Sequence, residues 1–227
     1  MFDNWRRHLT ELVVVFVGVA LAFAVENLRE DLNDQAVGEQ YLQDFRADLL
    51  ADRELLQAHL EWRRNQGDAA RVVLEYFEGQ DNGPQRFFES YYFALQSRNF
   101  SPNRNTMDEV LSSGSLRFIR DSDIRHRLLN LYVTYGEIRD TEVHMARDFD
   151  IYLYDPTFSS IRIQLEGPWE DSETNRDAVA ALVDDVRIEN GLRLLVGNLE
   201  FPEDGLISLL ELALVQIEEL LGLVSGD

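Results

Sequence analysis

The apolar positions of this chain fall into two regimes. Residues 12–25, LVVVFVGVALAFAV, are fourteen apolar residues in a row. Everything after them alternates apolar and polar positions, mostly at helical spacing. An uninterrupted run leaves a helix no polar face, which predicts a helix crossing a membrane. A spanning helix usually takes about 20 residues. Leu9 and Thr10 extend the tolerable span, although Glu11 interrupts it. Local bilayer thinning and snorkelling by Arg6 and Arg7 accommodate a short one. The anchor is therefore placed at residues 9–27, carried by Leu12, Phe16, Gly18, Ala22 and Val25. Trp5 stands where an interfacial aromatic belongs. Gly18 and Ala22 form a small-xxx-small pair suited to a second transmembrane helix.

Charge gives an orientation. Arg6 and Arg7 precede the run, whereas Glu26, Glu30 and Asp31 follow it with Arg29 as their one cation. The positive-inside rule then expects residues 1–8 in the cytoplasm and residues 28–227 outside, in the periplasm of a bacterial inner-membrane protein. A cleaved signal peptide is the competing reading, with Ala22-Phe23-Ala24 as an A-x-A site. The helical pattern continuing past Ala24 argues for the anchor.

Beyond the membrane the pattern predicts an all-α fold. Leu28, Leu32, Tyr41, Leu42, Phe45, Leu49, Leu56 and Leu60 recur mainly at three- and four-residue steps, giving a long helix over 26–66. Gly38 is a candidate kink, and Gly67-Asp68 reads as a stop followed by a second helix over 68–78. Asp81-Asn82-Gly83-Pro84 is a turn. Residues 85–96 form an aromatic helix, and 97–105 a polar loop. Asn105 or Thr106 caps a short helix ending near Gly114. Asp121 or Ser122 caps a long one that Pro156 ends. Residues 157–165 alternate weakly like a strand, and 166–177 read as acidic loop. Helices over 179–186, 191–199 and 202–224 complete the chain. The last has Glu211 and Glu218 on one face, the pattern of an amphipathic helix packed on its own domain.

Composition narrows the chemistry. The 227 residues include 42 acidic and 21 basic ones, for a net charge of −21. A nucleic-acid partner is not expected at that charge. Lipid is the first expected partner. A cationic protein surface, within a larger membrane assembly, is the second. Cysteine and lysine are both absent. That removes disulfides, thiolate nucleophiles, Schiff bases and the P-loop lysine.

Three segments resemble a family of bacterial membrane proteins of uncharacterised function, DUF6090. They are Glu11 to Ala22 followed by Glu26-Asn27; Glu39-Gln40-Tyr41-Leu42 with Asp48-Leu49 and Asp52; and Asn105-Thr106-Met107 with Leu111-Ser112-Ser113-Gly114, Leu116 and Ile119. The resemblance implies a single-pass, mostly helical protein. It implies no activity, and the C-terminal third matches only in helical character.

No catalytic constellation emerges. His8, His59, His126 and His144 make neither H-E-x-x-H nor a Glu-x-x-His pair, and read as surface or interface histidines. Asp44, Asp48 and Asp52 form an i, i+4 ladder able to face a divalent cation. Nearby Arg46 and Arg53 favour a solvated helix face instead. Asp171, Glu173, Asn175 and Asp177 alternate like calcium ligands, but Arg176 and Leu182 occupy the places of the required Gly and Glu. Ser112, Ser113 and Gly114 read as a helix stop. No cofactor and no metal site is expected.

Three functions stay open on these residues. The first is a non-enzymatic accessory subunit of a respiratory, photosynthetic or transport assembly, alone or as a homo-oligomer, with Trp5, Arg6, Arg7, Tyr91 and Tyr92 as partner contacts. The second is a periplasmic sensor with a pocket near Tyr91, Tyr92, Ser112 and Ser113, signalling through a partner. The third is an enzyme built around His126 or His144 beside a carboxylate.

Overall fold

A computed structural model describes the backbone of residues 3–154 and 173–224, and the side chains of those from Leu9 onward except Thr10. Among the described residues the fold is all-α, with seven α-helices and no strand. They are α1 (Asp3–Phe77), α2 (Pro84–Ala94), α3 (Asn105–Ser113), α4 (Ser122–Asp148), α5 (Glu173–Val183), α6 (Val186–Glu200) and α7 (Leu206–Val224). A 3₁₀ turn (Ser115–Phe118) follows α3, and a π-helical segment (Phe149–Tyr154) extends α4. The weak strand expected over 157–165 lies outside the described residues. Residues 173–177, read as loop, begin α5 instead.

The chain divides into two compact units, Met1–Asp48 with Arg104–Arg125, and Leu49–Asn103 with His126–Asp227.

In the first unit, α1 is unbroken where a kink was expected. Gly38 bends nothing; it makes room. A Cβ there would fall inside contact distance of the Phe118 carbonyl oxygen and 2.9 Å from its carbon. The 3₁₀ turn therefore lies directly on the helix backbone, with Ile119 fully buried beside it. Gly114 ends α3 at φ 69°, a left-handed conformation that favours glycine. Arg104, rather than Asn105 or Thr106, takes the N-cap position, with no side-chain cap bond. Asp121 caps α4 as predicted: its Oδ1 accepts from the amides of Asp123 at 2.7 Å and Ile124 at 3.3 Å.

In the second unit, the expected break at Gly67 is also absent. The glycine faces Leu199 and Glu200 of α6, and α1 continues as a helix to Phe77. Leu49, Leu56, Ala70 and Val73 are apolar core positions of α1, all on one helical stripe. Phe87, Phe88 and Tyr91 of α2 and Leu128, Leu131 and Ile138 of α4 are buried. The acidic face of α7 does not meet water alone. Glu211 pairs with Arg64 at 2.5 Å, Glu218 with Arg53 at 3.4 Å, and Glu219 with Arg127 at 2.5 Å. Arg64–Glu211 and Arg53–Glu218 set α7 antiparallel to α1, Arg127–Glu219 ties α7 to α4, and the Arg71–Glu200 pair ties α1 to α6. Each contributes under about 1 kcal/mol, so register is their main effect.

Asp185 caps α6, its side chain accepting from the Arg187 amide at 2.9 Å. The Arg187 side chain hydrogen-bonds the same carboxylate and holds its pKa below the usual Asp value. A lowered folded-state pKa stabilises above the unfolded value and loses that contribution as pH falls through the folded one. Asp185→Ala is expected to cost about 1 kcal/mol at neutral pH. The gap between variant and wild type should close as unfolding is measured at progressively lower pH, below about 4. A gap that stays constant into that range would show the carboxylate is not the cap.

Candidate functional site

Two features stand out chemically: an exposed apolar helix segment in the first unit, and a buried polar network in the second.

Among the described residues, one helix is long and apolar enough to cross a membrane, and none of its apolar window is buried in the protein. The ten large apolar side chains between Leu12 and Val25 are 48–73% exposed. Removing each from water yields about 1.5–3 kcal/mol, so lipid around this segment gains on the order of 20 kcal/mol that the chain itself leaves unused. Leu12, Phe16, Gly18, Ala22 and Val25, the residues expected to carry an anchor, all lie on this exposed stretch. The side chains of Trp5, Arg6 and Arg7 lie outside the described residues.

The network begins with four polar residues on the buried stripe of α1. Asp52, His59, Arg63 and Gln66 are each at most 2% exposed. Their spacing continues the 3/4 steps of the apolar core, so they hold core positions rather than a solvated face. Glu142 does the same in α4, filling the step between Ile138 and Met145, and it too is buried. Its Oε1 meets His59 Nε2 at 2.6 Å and accepts from Arg63 Nη2 at 2.9 Å. Its Oε2 accepts from the Phe100 amide at 2.8 Å. Burial pushes the Arg63 guanidinium below its usual pKa and Glu142 opposes the shift. Arginine stays charged in either case. The guanidinium also lies 4.8 Å from the centre of the Trp62 ring.

Most of the remaining bonds run to main chain. Arg63 Nη2 donates to the Arg98 carbonyl at 2.5 Å, while Arg63 Nη1 donates to Gln66 Oε1 at 2.8 Å. Gln66 Nε2 donates to the carbonyls of Ala94 and Gln96, both at 2.8 Å. Asp52 accepts from the Asn103 amide at 2.8 Å and from the Tyr135 hydroxyl at 3.0 Å. Tyr132 donates to the Asn103 carbonyl at 3.0 Å. The main-chain partners share one purpose. Residues 95–103 have no helix to satisfy their backbone, and buried peptide groups need partners. Side chains from α1 and α4 supply them, so the network clamps the α2–α3 loop to the helices.

Several sequence expectations change here. His59 is a core residue, not a surface one. Asp48 and Asp52 are buried, so the Asp44 ladder is no solvated face. Among the described residues no group of three His, Asp or Glu gathers to hold a metal. Tyr91 is fully buried and donates its hydroxyl to the Leu153 carbonyl at 2.9 Å, which removes it as a partner contact. Tyr92 is half-buried, stacked on Phe88, and burial raises its pKa. Ser112 and Ser113 bond the Glu109 carbonyl at 3.0 and 2.8 Å and serve the end of α3. His126 is exposed. His144 sits on the surface, 3.6 Å from Asp148. A cavity of about 220 Å³ is lined by Tyr76, Pro84, Arg176 and Val179 among others, none of which belongs to the network.

Compared with models of known protein families, with curated protein sequences and with solved structures, the chain matches none.

Proposed function

We propose that this chain is a non-enzymatic, membrane-anchored accessory subunit of a larger membrane protein assembly. The observation that carries the reading is the exposed apolar segment of α1, which offers lipid or another membrane helix a surface and its own domain none. The distribution of charge supports a cytoplasmic N-terminus in a bacterial inner membrane, with the acidic helical part in the periplasm. The polar groups of the core support a scaffold role, since they bind backbone. The resemblance to the DUF6090 family implies the same single-pass plan. An excess of acidic residues suits a cationic face on the host.

The test is purification of the full-length protein from native membranes in mild detergent, with mass spectrometry of what co-migrates. Stoichiometric recovery with one defined complex is the expected result. Recovery without any second protein would overturn the subunit reading.

A further inference from the structure

We infer that Arg120, together with Arg29, binds the phosphate groups of the phospholipids that surround α1 where it leaves the bilayer. The turn after α3 then rests on the headgroup layer. The inference rests on the membrane-anchor part of the function proposed above.

Helix α1 serves as a ruler, because an α-helix rises about 1.5 Å per residue. Counted from Val25, the end of the apolar run, Asp31 stands about 9 Å out and Gly38 about 20 Å out. Within the first unit the chain returns to α1 at successive levels. Tyr41 donates to Glu109 Oε1 at 3.2 Å, the Phe118 carbonyl lies on Gly38, and Arg120 reaches Asp31. The last of these is nearest the apolar run. The Ile119 amide lies beside Gly38, whereas Arg120 Nη2 donates to the Asp31 carbonyl at 3.1 Å. The Arg120 side chain therefore reaches back along α1 by about two turns. Every residue from Glu26 to Asn33 is exposed, so this reach crosses a bare neck.

The neck has the dimensions of an interface. The polar layer on each side of a bilayer is about 5–8 Å thick. The apolar run covers about 21 Å of a hydrocarbon core of about 30 Å, which draws the lipid past its ends. Leu28 and Leu32 are 60% and 61% exposed. They stand about 5 Å and 10 Å past Val25, at the depth where lipid covers apolar side chains. The Arg120 guanidinium shares that level.

Charge selects phosphate as the occupant. The neck carries Glu26, Glu30, Asp31 and Asp34, which by themselves hold a phosphate surface off. Arg29 and Arg120 are the cations at the same depth. Arg29 and Asp31 are two residues apart, about 200° around the helix, so Arg29 and Arg120 flank α1 on opposite sides. The Arg120 side chain is 59% exposed, and its pairing with the Asp31 carboxylate is loose, at 3.8 Å. A planar guanidinium matches a phosphate through two parallel N–H···O bonds.

The test uses full-length protein isotope-labelled at the arginine Cζ. It is reconstituted in vesicles of phosphatidylethanolamine and phosphatidylglycerol, in buffer free of phosphate, so that lipid is the one source of phosphorus. Solid-state NMR then reads which Cζ signals are dephased by phosphorus. Arg120→Gln and Arg29→Gln are each expected to remove one arginine's share of the dephased signal. Arg117→Gln is the control. Its guanidinium lies 4.9 Å from the centre of the Phe118 ring, at the level of Gly38, and its loss should remove none. All three side chains are exposed, so the fold stays intact. An unchanged dephased signal in Arg120→Gln or Arg29→Gln, or an equal loss in Arg117→Gln, would overturn the contact. Alkaline carbonate extraction of the same vesicles separates the two readings. Protein retained with the lipid while Arg120→Gln leaves the signal unchanged defeats the phosphate contact alone. Protein released into the supernatant defeats the anchor and the contact together.

Discussion

Replacing Glu142 with alanine is expected to cost about 3–5 kcal/mol of unfolding free energy, the usual penalty for stranding a buried charge. In a chain of this size that lowers the melting temperature by about 10 °C. The size follows from what the carboxylate holds. Arg63 loses its counter-ion where it cannot reach water, the Phe100 amide loses its acceptor, and His59 Nε2 loses its partner. Glu142→Gln keeps the shape but turns an NH₂ group toward donors, so it should remain strongly destabilising. The double variant Arg63→Met, Glu142→Leu removes both charges and should recover much of the loss. Thermal unfolding of the full-length protein in mild detergent reads all three. Limited proteolysis should show new cleavage within residues 95–103 in the single variants, because that loop loses its clamp. A loss below about 1 kcal/mol for Glu142→Ala would mean the network is hydrated rather than buried, and the clamp account would fall.

The same network shows where sequence reasoning stopped short. The fold class was legible, because long stretches of 3/4 periodicity and an uninterrupted apolar run need no tertiary information. The core of α1 was only half legible. Its register passes through Leu49, Leu56, Ala70 and Val73, and the intervening steps fall on Asp52, His59, Arg63 and Gln66. A reading that scores apolar residues skips those steps and assigns the polar ones to the surface. The seven-residue gap between Ile138 and Met145, filled by Glu142, was the matching signal in α4. What no periodicity supplies is the partner: the α2–α3 loop, whose backbone makes charges in the core tolerable, is far away in sequence. The arginine partners of Glu211, Glu218 and Glu219 were hidden for the same reason.

Glycine gives the last and most discriminating case, since three helical glycines should respond to alanine in three different ways. Helix propensity alone favours alanine by about 1 kcal/mol at each. At Gly136 a Cβ meets nothing within 4 Å, so Gly136→Ala should stabilise by close to that amount. At Gly67 the new methyl would sit 3.3 Å from a Glu200 carboxylate oxygen. That is the end of a long side chain able to move a few tenths of an ångström, so Gly67→Ala should be near neutral. At Gly38 the obstacle is main chain. The Phe118 peptide cannot turn aside without lifting the 3₁₀ turn and uncovering Ile119, which is fully buried. Overpacking of this kind costs about 1–3 kcal/mol and exceeds the propensity gain. The damage should be local to the first unit. Amide hydrogen exchange is expected to accelerate across residues 115–119 in Gly38→Ala while the amides of α4 beyond residue 126 keep their protection. If exchange in the turn is unchanged, the turn does not rest on the helix backbone at Gly38, and the kink read from the sequence would return as the reason for glycine there.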